Sequence, residues 1–176
     1  MKSRKSLKNI NFVLFLGICL IFFGILAYFS NRNIVQVVPS PTPVAKVFTS
    51  VTFAKVTRVI DGDTIVIDTG DHVRYIGMNT PELETSQCYA TEASEINKNL
   101  VLGKTVKLVK DVSETDKYER LLRIVYIGDQ MIDDELVKDG SAKVMTVPPD
   151  VEYKDEFLQS QEYAKENKLG LWGKCD

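Results

Sequence analysis

Beyond residue 50 the apolar positions recur in short runs at two different spacings. Residues 53–60 are rich in β-branched side chains, 64–68 alternate, and 72–76 alternate again, with Asp61-Gly62 and Thr69-Gly70-Asp71 marking the turns. This predicts a three-stranded meander whose last strand runs out at 78–81, because Pro81 cannot donate to a ladder. Residues 105–109 and 121–127 read as two further strands. Helical spacing takes over in 93–102, opened by Thr91 and closed by Gly103, in 133–138, ended by Gly140, and in 151–167, ended by Gly170. In the last segment Tyr153, Phe157, Gln161 and Ala164 fall near one face, as in an amphipathic cover. The fold class is mainly β with helices (α+β), with five strands and about three helices.

Residues 12–29 follow neither spacing, being apolar or glycine throughout. As a helix they cover about 27 Å, close to a bilayer's hydrocarbon core, and Ile10 extends the span. Lys2, Arg4, Lys5 and Lys8 precede them with no acid among them, which sets the amino terminus on the cytoplasmic side. The expected organisation is a cytoplasmic basic tail (1–9), a transmembrane anchor (10–29), a linker (30–50) made semi-rigid by Pro39, Pro41 and Pro43, and one globular domain (51–174). A cleaved signal peptide, giving a secreted protein, is the alternative. Against it stand the length of the apolar run and the lack of small residues at both key positions before Ser30.

Charge divides at the same place. Residues 1–46 hold six of the 22 Lys and Arg and none of the 24 Asp and Glu, leaving residues 47–176 at a formal net charge of −8. Indiscriminate electrostatic binding of nucleic acid is therefore excluded, although a local basic site around Arg74, Lys117, Arg120 and Lys143 stays open. In the predicted topology Cys88 and Cys175 lie outside the membrane, where an even pair is expected to form a disulfide; two free thiols are the alternative. One histidine, His72, is too few for a Cys/His metal site.

Three short islands carry the chemistry: Asp61-Gly62-Asp63-Thr64, then Arg74 with Asn79-Thr80-Pro81-Glu82, then Asp116-Lys117-Tyr118-Glu119-Arg120. They offer hard oxygen ligands for a divalent cation, one isolated glutamate, and two guanidinium groups for a phosphate. Taken singly, Asp61-Gly62 is an ordinary turn signal and the arginines are ordinary partners for an acid-rich surface. Taken together, with 136–144 and the terminal Leu169-Gly170-Leu171-Trp172, they resemble the staphylococcal nuclease (thermonuclease-like) family from about residue 51 to 172.

That resemblance implies an oligonucleotide-binding (OB-fold) barrel with added helices and a monomeric, Ca2+-dependent endonuclease that cleaves DNA and RNA to 3′-phosphate products. It implies that Asp63, Asn79 and the Thr80 carbonyl hold the metal, with Asp61 and Thr64 near its water shell. Glu82 corresponds to the general base, Arg74 and Arg120 to the phosphate clamp, and Lys117 and Tyr118 to nucleotide contacts. The chain departs from the pattern in three places. Asn79 stands where an aspartate is common; Met145, Thr146, Val147 and Pro148 stand where the prototype stacks a base on tyrosines; and the 83–90 loop is short and lacks lysines. The rival reading is a non-catalytic nuclease-like binding module tethered to the membrane.

Overall fold

The structure is a computed structural model that describes residues 51–175. The basic tail, the anchor segment 10–29 and the linker expected from the sequence lie outside these residues. Among the described residues no helix is long and apolar enough to cross a membrane.

Five strands close into a barrel. The longest, β1 (Val51–Val59), pairs antiparallel with β2 (Thr64–Ile67) on one side and with β5 (Thr105–Val109) on the other. Strand β3 (His72–Tyr75) continues the sheet antiparallel to β2, and β6 (Leu121–Ile127) continues it antiparallel to β5. The seam is parallel: β3 meets β6 with Val73 opposite Leu121 and Arg74 opposite Leu122. Closure leaves these five strands without a free edge. Inside lie Val56, Ile65, Val73, Tyr75, Val106, Leu108 and Val125, all essentially inaccessible, each worth about 1.5–3 kcal/mol of burial for an aliphatic side chain.

Helix α1 (Ala90–Val101) begins three residues before the position the sequence suggests. Tyr89, in the left-handed region at φ 69°, starts it without any side-chain cap. Its buried residues Ala90, Ala93, Asn97 and Val101 sit at helical spacing, so packing outweighs the Thr91 cap signal. Helix α2 (Ile132–Lys138) plugs the barrel with Ile132, Leu136 and Val137. Helix α3 (Lys154–Glu166) starts later than expected, because Asp150 is tied to the Val112 and Ser113 N–H groups and holds the preceding segment in a loop. Its Phe157 and Ala164 are buried, and Gln161 Oε1 accepts the Val144 N–H at 2.8 Å, as an amphipathic cover requires. Helix α4 (Leu171–Lys174) and three two-residue strands, β4 (Met78–Asn79), β7 (Gln130–Met131) and β8 (Lys143–Val144), are too short to leave a pattern. β7 hairpins onto β6, and β4 pairs with β8 as a separate ribbon.

Candidate active site

The β1–β2 turn, the end of β3 and the β4 ribbon bring the first two islands together at one end of the barrel. Thr64 opens β2 opposite Arg74 on β3, and the Tyr75 N–H donates to the Asp63 carbonyl at 3.0 Å. Asp63 is thereby held beside the Arg74 side chain. Arg74 Nη1 lies 2.6 Å from Asp63 Oδ1, an ion pair, and Arg74 Nη2 donates to Asn79 Oδ1 at 2.6 Å. The other Asp63 oxygen accepts the Thr80 N–H at 2.8 Å and the Thr80 hydroxyl at 3.0 Å. Asn79 Nδ2 in turn donates to the Thr80 carbonyl at 2.9 Å. Gly62 is required here, since a Cβ would come within 2.6 Å of the Thr80 side chain.

Thr64 joins this cluster to the third island. Its hydroxyl donates to Asp63 Oδ1 at 3.1 Å and accepts from Arg120 Nη1 at 3.4 Å. Arg120 is fixed by a two-pronged bond to Asp116, with Nε and Nη2 both 2.7 Å from Oδ2. Burial raises the Asp116 carboxyl, but the Arg120 guanidinium and the N–H groups of Tyr118 and Arg120 outweigh this and hold it below its usual range. The turn passes through Glu119 at φ 65°, a left-handed conformation that lets the chain reverse within five residues. Arg123, buried on β6, braces the base of the turn through the Glu114 carbonyl and carboxylate.

Arg74, Asp116, Lys117, Tyr118 and Arg120 line a cleft of about 590 Å³, together with Met145, Val147 and Pro148. Tyr118, 67% exposed, stands on its rim with Arg120 Cζ 5.4 Å and Lys117 Nζ 4.9 Å from its ring centroid. Glu82 is not brought into this cluster. It is exposed and does not line the cleft, it makes no ion pair among the described residues, and its N–H donates to Gln87 Oε1 at 3.1 Å. The loop that follows it is tied to the carboxyl terminus by a Cys88–Cys175 disulfide, as the sequence predicts.

A buried polar chain behind the site has no signature in the sequence. The Tyr75 hydroxyl donates to Asn97 Oδ1 at 3.0 Å, and Asn97 Nδ2 donates to the Asp61 carbonyl at 3.2 Å, so α1 positions the turn that carries Asp61 and Asp63. Asp61 accepts the Asp63 N–H at 3.0 Å. Burial, reinforced by the neighbouring Asp63 charge, pushes its carboxyl up to about 6.

Among the described residues no three His, Cys, Asp or Glu side chains gather around a common point. The candidate donors are mixed instead: the Asp63 and Asp61 carboxylates, the Asn79 amide oxygen and the Thr80 carbonyl, of which Asp63 and Asn79 are held here by Arg74, and the Thr80 carbonyl by the Asn79 amide. Hard divalent cations take such mixed oxygen sets, and a cation beside Asp61 and Asp63 offsets the burial, and after it the mutual repulsion, that raise the Asp61 carboxyl. The donor chemistry therefore fits a divalent metal ion.

A family model described as "Staphylococcal nuclease homologue" matches residues 72–174. The chain belongs to the staphylococcal nuclease family. Within that family it is 36% identical over 125 residues to a thermonuclease of Staphylococcus hyicus, covering 67% of this chain and 74% of the relative. It is 38% identical over 124 residues to a thermonuclease of Staphylococcus intermedius, covering 66% and 74%. It is also 40% identical over 126 residues to the endonuclease YncB of Bacillus subtilis, covering 66% and 60%. The five-stranded closed barrel is the fold this family membership calls for. A staphylococcal nuclease homologue with such relatives is a phosphodiester hydrolase.

Proposed function

We propose that this staphylococcal nuclease homologue is a calcium-dependent endonuclease that hydrolyses DNA and RNA outside the cytoplasm, held to the cell membrane by residues 10–29. The observation that carries the reading is the single hydrogen-bonded cluster of Asp63, Arg74, Asn79, Thr80, Thr64 and Arg120, whose two arginines line one cleft. Asp63, Asn79 and the Thr80 carbonyl would hold the ion, with Asp61 behind them. A calcium ion held by these residues would supply fixed positive charge for the phosphate chemistry.

The protein's own groups supply the rest. Arg120, splayed between Asp116 and Thr64, presents a fixed guanidinium to the scissile phosphate, and Arg74 adds a second. Glu82 accepts the proton of the attacking water as the water oxygen bonds to phosphorus; the bond to the 5′-oxygen breaks, that oxygen takes a proton from solvent and leaves as a 5′-hydroxyl, and a 3′-phosphate remains. Its solvent-exposed position on a disulfide-tied loop leaves the carboxylate room to meet a substrate that fills the cleft. Lys117 and Tyr118, on the rim, contact the nucleotide. Asn79 in place of an aspartate removes one formal charge, so calcium is held weakly. Retention of both arginines and Glu82 favours turnover over a purely binding role.

Hydrolysis of single-stranded DNA and RNA by the purified protein, with calcium and then with excess chelator, tests this. Turnover only with calcium is expected. Full activity in chelator overturns the metal assignment, and binding without hydrolysis in either condition supports the non-catalytic reading.

A further inference from the structure

Beside the site, two lysines share one indole ring. Lys143 Nζ lies 5.4 Å and Lys165 Nζ 5.1 Å from the centroid of Trp172. Lys143 stands directly opposite Asn79 in the β4–β8 ribbon. Directly opposed residues project from the same face of an antiparallel pair, so Lys143 rises from the face that carries the Asn79 amide and its bond to Arg74. Trp172 is delivered there by α4, anchored where the Leu171 N–H donates to the Gly140 carbonyl at 2.9 Å, and Lys165 by the last turn of α3.

Neither ammonium is neutralised. Lys143 is exposed and has no ion pair among the described residues, and the contact of Lys165 with Glu162 is 3.9 Å, between side chains 42% and 65% exposed. A pair that long and that open contributes little. With both ammonium groups within 5.4 Å of one ring centroid, their positive charges add in attracting an anion. Within a region of formal net charge −8, this concentrates positive charge beside the proposed phosphate site.

We propose that Lys143 and Lys165, positioned by Trp172, form a second subsite that holds a backbone phosphate of single-stranded nucleic acid away from the scissile bond. The proposal rests on the nuclease reading above. Lysines act as point charges toward phosphate and read no base, so the subsite is indifferent to sequence. A strand long enough to reach it is gripped at two places and a dinucleotide at one, so the subsite selects for chain length.

The test compares the full-length protein with Lys143→Gln, Lys165→Gln, the double variant and Lys143→Arg. Binding of a long fluorescent single-stranded DNA and of a dinucleotide is titrated against salt, with hydrolysis of both and thermal stability followed in parallel. The double Gln variant is expected to reduce the slope of log affinity against log salt for the long strand by about 0.7, the value for one phosphate, and to weaken that binding roughly tenfold, with a much smaller change for the dinucleotide. Each single Gln substitution gives part of that loss. Lys143→Arg restores the slope. An unchanged slope in the double variant, an equal loss for both ligands, or a fall in melting temperature with the slope intact overturns the proposal and leaves the lysines as packing for Trp172. Failure of the nuclease reading shows separately, as absence of hydrolysis by the unsubstituted protein, and the salt slopes still decide the subsite.

Discussion

Arg74 and Asp63 are paired at 2.6 Å with only 8% and 6% of their side chains exposed, whereas Arg120 and its partner Asp116 retain 28% and 17%. The two arginines thus carry unequal structural weight. Removing one member of a buried pair strands the other and costs about 3–5 kcal/mol, while an accessible pair contributes far less. Arg74→Ala is therefore expected to lower both the melting temperature and the activity. Arg120→Ala is expected to lower activity on the order of 10²- to 10³-fold with little change in melting temperature, and Glu82→Gln to lose most activity with the fold intact. Calorimetry alongside initial rates checks this; comparable destabilisation by Arg74→Ala and Arg120→Ala contradicts the assignment.

Asn79→Asp removes the Nδ2 donor that satisfies the Thr80 carbonyl and sets an anionic oxygen near that carbonyl and Asp63. Without calcium the variant should be less stable. With calcium it should be more strongly stabilised, and it should reach half-maximal activity at a lower calcium concentration, since affinity rises with ligand charge. Melting temperature titrated with calcium in the two proteins is the measurement. A smaller calcium-induced shift in the Asp variant means that position 79 does not face the metal.

The Cys88–Cys175 bridge spans a sequence separation of 87 and joins the loop after Glu82 to the end of α4. In the chain-entropy model a loop of that size is worth roughly 4 kcal/mol, an upper-end figure. Cys88→Ser with Cys175→Ser should lower the denaturation midpoint and steepen the slope of the transition, because the unbridged denatured chain exposes more surface. Chemical denaturation under oxidising conditions measures both; an unchanged midpoint removes the bridge from the stability of the fold.

Asp133, fully buried at the start of α2, has its Oδ2 bonded by the Val125 N–H at 2.8 Å while Oδ1 has no partner. Burial raises its carboxyl from 3.8 to about 8, against the lowering effect of the surrounding N–H groups and Arg74. The folded protein therefore keeps a proton that the unfolded chain releases near pH 4, and the stability this group contributes falls as pH rises from about 4 to about 8. Asp133→Asn should flatten that portion of the stability profile. Denaturation midpoints across the window decide it: parallel profiles in the two proteins refute the assignment.

Much of the site could be read from the chain because its members are close in sequence and their spacing is tied to strand geometry. Asp63 and Arg74 flank one hairpin, and Asn79-Thr80 follows within a few residues. Asn97, Tyr75 and Asp133 left no such trace. Each is an unremarkable residue in a helix or strand pattern, and its role comes from hydrogen bonds that reach across 22 and 36 positions or from burial at a helix start. The Glu82 loop escaped for another reason: positive φ at Ser86 and Tyr89 and the long-range disulfide set its path, and neither obeys a periodicity. The helix starts moved because Tyr89 carries no helix-start signature, and because Asp150, a favoured N-cap type, gives its carboxylate to the Val112 and Ser113 N–H groups instead.

The parallel seam between β3 and β6 sets Arg74 beside the segment that begins immediately after Arg120. Nearly fifty residues of intervening chain must be in place before that seam can zip, so it joins strands remote in sequence and slow to find one another. Until it does, neither arginine has the other as a neighbour, and the chain carries no assembled grip on phosphate. Catalytic competence then doubles as a reporter of completed closure.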